Sequence, residues 1–273
     1  MTGADETVGA SVVVPPRGGW FRSAVLGAGV LGLVSGGLGA AGLVATGMAT
    51  GGALAALAVL AGSVTVASAR PQLQVFGPCV LRGRHPGRAA LTIDDGPHPA
   101  STPAILAALA ERGLHATFFV LADRVRAHPD LFRAMLDGGH EVGLHGLTHD
   151  ARLTFLPPEA GAQNLRAAIA VLREHGSPPI RWFRPPFGVT SPRLHAAVQL
   201  AGLELAWCSV RTMDGVAIAP DTLRARCRAV VGTDIVLVHD GPGPTGALIG
   251  EIADEWDGRG IQASTLTATL EVG

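Results

Sequence analysis

Four short segments of this 273-residue chain carry side chains suited to hydrolytic chemistry. In Leu91-Thr92-Ile93-Asp94-Asp95-Gly96-Pro97, two adjacent carboxylates follow an apolar run. Two such charges repel each other unless something compensates; a metal on one does so and leaves the other free as a base. Taken alone, the segment reads first as an ordinary Asp-Gly-Pro turn. His145 and His149 stand four residues apart, so two neutral imidazoles in one turn can reach a single cation at about 2.0–2.1 Å. The chain has ten histidines, and this spacing by itself is weak evidence. Arg184 precedes Pro185-Pro186, a rigid pair that holds a permanent cation at the strand end, able to pair with a carboxylate. His239 closes the run Ile235–His239 and is a candidate general acid.

These residues need elements to position them. Apolar runs predict strands at 90–95, 116–121, 141–145, 180–185, 203–209, 234–240 and 261–264. Helical patterns lie between them, at 102–112, 129–137, 158–175, 192–201, 220–230 and 248–256. Several begin with Pro in the first turn, where its missing N–H is no loss. Alternation of strand and helix predicts an α/β sheet or barrel with parallel pairing. In such folds the carboxyl ends of the strands hold the active site. Asp, His and Arg fall at four separate strand ends, a convergence much harder to dismiss than any one motif. Residues 70–89 are rich in Pro, Gly and Arg and read as a linker, with the catalytic domain at 90–273.

The set Thr92-Ile93-Asp94-Asp95-Gly96-Pro97, His145-Gly146-Leu147-Thr148-His149, Arg184-Pro185-Pro186-Phe187-Gly188 and Leu237-Val238-His239 resembles the polysaccharide deacetylases of carbohydrate esterase family 4. The resemblance covers roughly residues 88–270 in motif order. It implies a distorted (β/α) barrel of about seven strands that hydrolyses N-acetyl groups on an amino-sugar glycan or a lipid-linked sugar. By the same resemblance, Asp94 is the catalytic base, while Asp95, His145 and His149 hold one divalent metal. Zn is the first expectation, and Co, Ni or Fe also suit two imidazoles and a carboxylate. Arg184 orients the base, the Phe187 backbone N–H helps hold the oxyanion, and Leu237 walls the acetyl pocket. His239 is the general acid, and Asp214 pairs with it.

The chain departs from the family pattern at three places. Gly146 follows the first histidine where Ser or Thr is common. Arg211 and Gly215 flank Asp214 where the family usually has an earlier Asp and a following Trp. Loss of that Trp opens the acetyl pocket and leaves acyl size and substrate class undetermined. A metal-dependent hydrolase of a non-sugar amide and an inactive sugar-binding relative are the alternatives. Inactive relatives normally lose a ligand or the base, whereas every such residue is present here.

From Ser23 to Ala69 the chain carries no charge over 47 residues, and the whole sequence is only 16% charged with a mean hydropathy of +0.34. One membrane span needs about 20 apolar residues, so the stretch predicts two helices near 24–45 and 53–69. The Gly- and Thr-rich Thr46–Gly52 reads as the break between them, following a short tail at 1–22. The run is about three times too long for a secretory signal peptide. An integral protein of the cell membrane is expected, with the bilayer as a partner; arginines on both flanks favour a hairpin with both ends in the cytoplasm, whereas one long span would put the catalytic domain outside, so its side stays open. A linker of about 20 residues spans roughly 25 Å, which favours substrate near the bilayer. The 21 basic residues are all Arg and net charge is -1, so nucleic acid is excluded as a partner. Three cysteines without CxxC spacing exclude a disulfide framework and a Cys-rich zinc site.

Overall fold

The computed structural model describes residues 43–214, 220–241 and 245–271. These divide into two compact units at Val64/Thr65. The first helix, α1, runs Leu43–Ala69. It passes without interruption through Thr46–Gly52, so the expected break is not there. Glycine lowers helix propensity by about 1 kcal/mol per residue relative to Ala, but only Pro removes a hydrogen bond and clashes, and this stretch contains none. The first of the two expected spans lies almost wholly outside the described residues. Among the described residues no helix is long and apolar enough to cross a membrane.

The second unit is an α/β half-barrel. Its strands are β1 (Arg88–Gly96), β2 (Thr117–Leu121), β3 (Glu141–Gly146), β4 (Trp182–Phe183), β5 (Glu204–Leu205), β6 (Val210–Arg211), β7 (Ile235–His239) and β8 (Gln262–Ser264). All pair in parallel in the order β5-β4-β3-β2-β1-β7-β6, with β8 beside the first residues of β1. The helices between them are α2 (Thr102–Ala110), α3 (Ala122–Ala127), α4 (Pro129–Asp137), α5 (Pro158–Glu174), α6 (Pro192–Leu200), α7 (Pro220–Arg228), α8 (Thr245–Asp257) and α9 (Leu266–Leu270). Side chains such as Leu91, Ile93, Phe118, Phe119, Trp182 and Val236 are fully buried where strands and helices meet. Parallel strands covered on both faces become continuous apolar runs, which is why they were readable.

Two expectations change. The strand predicted at 203–209 shrinks to β5, and a separate β6 follows it, because the chain crosses from one edge of the sheet to the other between them. Val80 spans that gap: its N–H donates to the Leu205 carbonyl and its own carbonyl accepts from Trp207 N–H, both at 2.8 Å. The stretch 70–89 is therefore not a free linker. Pro71 and Cys79 are buried, and Arg82 ion-pairs with the buried Asp234. Gly83 N–H reaches the Thr233 carbonyl at 2.7 Å. Its apolar residues repay docking better than Pro, Gly and Arg content suggested, and the 25 Å of slack expected from it is absent.

Candidate active site

The site lies at the carboxyl ends of the strands, in a cavity of about 490 Å3. Two irregularities aim its side chains. Successive residues of a regular strand face opposite ways, but the pairing of β1 with β2 shifts between Asp94 and Gly96, and Asp95 takes a left-handed φ of 72°. This bulge lets both carboxylates line the same cavity. The carbonyl of Asp95 accepts from the Arg124 guanidinium. On β3, Gly146 has φ 132°, a conformation side chains rarely adopt, and a Cβ there would meet the Thr148 carbonyl at 3.0 Å. Glycine thus suits the turn that brings His149 back beside His145.

Asp95 Oδ1 lies 3.4 Å from His145 Nε2 and 3.5 Å from His149 Nε2. One ligand atom from each residue falls within 4.8 Å of the others. His145 is buried, and its Nδ1 is 2.8 Å from the Arg184 carbonyl. That carbonyl can only accept, so the proton sits on Nδ1 and the Nε2 lone pair faces Asp95. Burial, only partly offset by the Asp95 charge, drives the His145 pKa down to about 3, keeping the ring neutral. Asp95 Oδ1 is buried with no hydrogen-bond partner among the described residues. An orphaned carboxylate oxygen facing two imidazole nitrogens is the donor set of a divalent cation, and the residues fit one.

Beside this cluster, Asp94 Oδ1 accepts from Arg184 Nη1 at 2.7 Å. Arg184 is fully buried; it also reaches Thr92 Oγ1 at 2.8 Å and the Trp207 carbonyl at 3.1 Å, with the Phe119 ring 4.1 Å away. Burial raises the Asp94 pKa, against the opposing pull of Arg184 and His239. Across the cavity, His239 Nδ1 is 2.8 Å from Asp214 Oδ1, and its backbone N–H donates to Asp214 Oδ2 at 2.7 Å. Burial opposes charge on His239, but the Asp214 hydrogen bond together with the Asp94, Asp214 and Asp95 charges outweighs it and raises the pKa. Burial likewise opposes charge on Asp214, yet bonds from His239 and Thr212 hold its pKa down.

The structure brings the sequence-predicted residues together. Asp94, Asp95, His145, His149, Phe187, Asp214, Leu237 and His239 all line the cavity, and Arg184 stands behind Asp94. Phe187 sits at a left-handed φ of 57° with its ring centroid 4.2 Å from that of His149. Leu237 is buried on β7. Gly215 falls outside the described residues. The sequence did not single out Thr92, Trp207 and Thr245, which hold Arg184 and Asp214. Thr92 was findable, because two residues before Asp94 on a strand means the same face.

Comparison with known proteins agrees with this geometry. A family model described as polysaccharide deacetylase matches residues 82–206. The chitooligosaccharide deacetylase of Bradyrhizobium sp. (strain ANU 289) is 34% identical over 155 residues, covering 56% of this chain and 71% of that protein. The chain belongs to the polysaccharide deacetylase family. Another relative in this family, the peptidoglycan-N-acetylglucosamine deacetylase PgdA of Listeria monocytogenes (strain 10403S), is 34% identical over 58% of this chain and 33% of its own length. Among solved structures of the family, a mutant of Bacillus anthracis BA3943, a CE4 family pseudoenzyme with restored enzymatic activity, superposes with a TM-score of 0.65 at 27% identity. That superposition covers 73% of this chain and 74% of the other.

Proposed function

We propose that this chain is a metal-dependent N-deacetylase, a hydrolase of carbon–nitrogen bonds other than peptide bonds, acting on an acetylated amino-sugar glycan. The observation that carries the reading is Asp95 Oδ1, buried, unpartnered and facing two imidazole nitrogens, with Asp94 as a second carboxylate beside it. Asp95, His145 and His149 hold the divalent ion, Zn in the first instance. When bound, it supplies a Lewis acid that polarises the acetamide oxygen and makes water more acidic.

The remaining chemistry belongs to side chains of this protein. Asp94 accepts the proton of the attacking water, held in position by Arg184. Its burial makes it a stronger base than an exposed carboxylate. The Phe187 N–H donates to the oxyanion that forms, a contribution of about 3–4 kcal/mol in comparable sites. Leu237 packs against the acetyl methyl. His239, kept protonated by Asp214, gives its proton to the departing amine. BA3943 is a reminder that the fold can persist without activity; here base, ligands and acid are all present.

The membrane reading is part of the proposal. It is supported by 47 uncharged residues and by the exposed aliphatics Leu54, Leu57, Val59, Val64 and Val66 on α1. An anchored enzyme would meet glycan or lipid-linked sugar close to the bilayer. The test is acetate release from N-acetylglucosamine oligomers by the full chain in detergent, after metal stripping and after adding back Zn or Co. Metal-dependent release that disappears in Asp94→Asn is expected. No release with one metal bound per chain would shift the substrate to a non-sugar amide. Extraction by detergent but not by alkaline carbonate is the expected mark of the anchor.

A further inference from the structure

The uncharged run that precedes the catalytic unit ends at the active site itself. Its last residues, Thr65–Ala69, belong to the second unit and form the final turn of α1. Ala67 is buried there, and the Ser68 carbonyl accepts from the Thr190 N–H at 2.9 Å. Thr190 lies three residues after Phe187, which lines the cavity with its ring against His149. Three residues span at most about 11 Å of chain, so the apolar helix is tied to the mouth of the cavity.

The same mouth carries the two most exposed large apolar side chains described in the second unit, Phe155 at 62% and Phe187 at 60%. Thr154 holds Phe155 there: its Oγ1 donates to the Val189 carbonyl at 3.2 Å, and its carbonyl accepts from Ser191 Oγ at 2.6 Å. Those two partners flank Thr190, so both rings and the end of α1 rest on one loop. Arginines stand beside Phe155. Arg193 Nη1 donates to its carbonyl at 3.0 Å, and Arg152, paired with Asp150, has an exposed side chain. At a lipid–water boundary, aromatic rings settle at headgroup depth and guanidinium groups meet phosphates. Two rings on adjoining segments, beside the end of a 47-residue uncharged run, are not scattered single residues.

We propose that the cavity mouth is a membrane-facing surface, with Phe155 and Phe187 seated in the bilayer boundary beside the end of α1. The amino sugar that reaches the metal site is then one linked to a lipid of the same bilayer. The inference rests on the anchored-deacetylase reading and narrows its substrate from glycan in general to a lipid-linked one.

The test uses the metal-loaded full chain in vesicles of mixed phosphatidylcholine and phosphatidylglycerol. The three native cysteines are buried, so an environment-sensitive fluorophore can be placed on Phe155→Cys or, at the opposite end of the strands, on Asp137→Cys. With nitroxide-bearing lipid present, the label at 155 should be blue-shifted and quenched, while the label at 137 reports water. In the same vesicles, turnover of an N-acetylglucosaminyl lipid relative to soluble N-acetylglucosamine oligomers should fall by about tenfold in Phe155→Asp, with oligomer turnover unchanged. Phe155→Trp keeps an interfacial ring and should hold the ratio. Vesicle-bound chain whose 155 label reads like the 137 label would overturn the surface and keep the anchor. Failure of the chain to float with vesicles would overturn the anchor, and the surface with it. A quenched 155 label without turnover of any acetylated sugar would overturn the deacetylase reading and keep the surface. A ratio unmoved in Phe155→Asp would overturn the lipid-linked substrate.

Discussion

Asp94 and Asp214 are carboxylates in one cavity whose surroundings push them opposite ways. Asp94 is buried against one donor group, Arg184, and burial prevails: its pKa rises. Asp214 lies less deep, though its side chain is also hidden from solvent, and it accepts from His239 N–H, His239 Nδ1, Thr212 Oγ1 and Thr245 Oγ1, at 2.7 to 3.0 Å. Those bonds prevail over burial and its pKa falls. More donors and shallower burial together separate the fixed anion from the proton acceptor. The same contrast places a base on one side of the substrate and a charged imidazole on the other.

The largest expected effect is on the acceptor. Asp94→Asn should lower kcat by about 10⁴-fold while one metal per chain remains bound. Retention of full activity would remove Asp94 from the mechanism. Next is Arg184→Met, which leaves Asp94 buried without its counter-charge. A loss of about 3–5 kcal/mol in unfolding free energy is expected from chemical denaturation, with turnover reduced by about 10³-fold.

The fixed anion should respond through its imidazole. His239 must be protonated to act, so activity falls as pH rises through its raised pKa. Asp214→Asn removes the negative charge that favours the imidazolium, so the falling limb of kcat against pH should move to lower pH. Turnover at pH 8 should drop by about 10²-fold. An unmoved limb would break the contrast between the two carboxylates. Thr245→Val removes one of the donors to Asp214. A few-fold fall in kcat and a stability loss of about 1 kcal/mol are expected, the smallest effect in the series.

Much of this site was legible because its chemistry sits in contiguous motifs. Asp94-Asp95, His145…His149 and Leu237-Val238-His239 are fixed by short spacings on single strands or their ends. The α/β class followed from the alternation of apolar runs with Pro-started helices. What escaped was nonlocal or carried by backbone. The Trp207 carbonyl that accepts from Arg184 has no side-chain signature. Thr245 meets Asp214 only after α8 has folded back, 31 residues on. Val80 serves as a surrogate strand residue through main-chain bonds, which Pro and Gly content concealed. The continuity of α1 through Thr46–Gly52 shows the opposite error, composition overread as a break.

Arg184 serves both halves of the site, one with its guanidinium and the other with its carbonyl, which fixes the His145 tautomer. The two services are separable by mutation, since a side-chain change leaves the carbonyl where it was. A lineage that lost the guanidinium would therefore shed catalysis while keeping an imidazole oriented for metal. Drift at this one codon offers a short route from enzyme to metal-holding binding protein, provided the stability lost with the guanidinium is made up elsewhere in the fold.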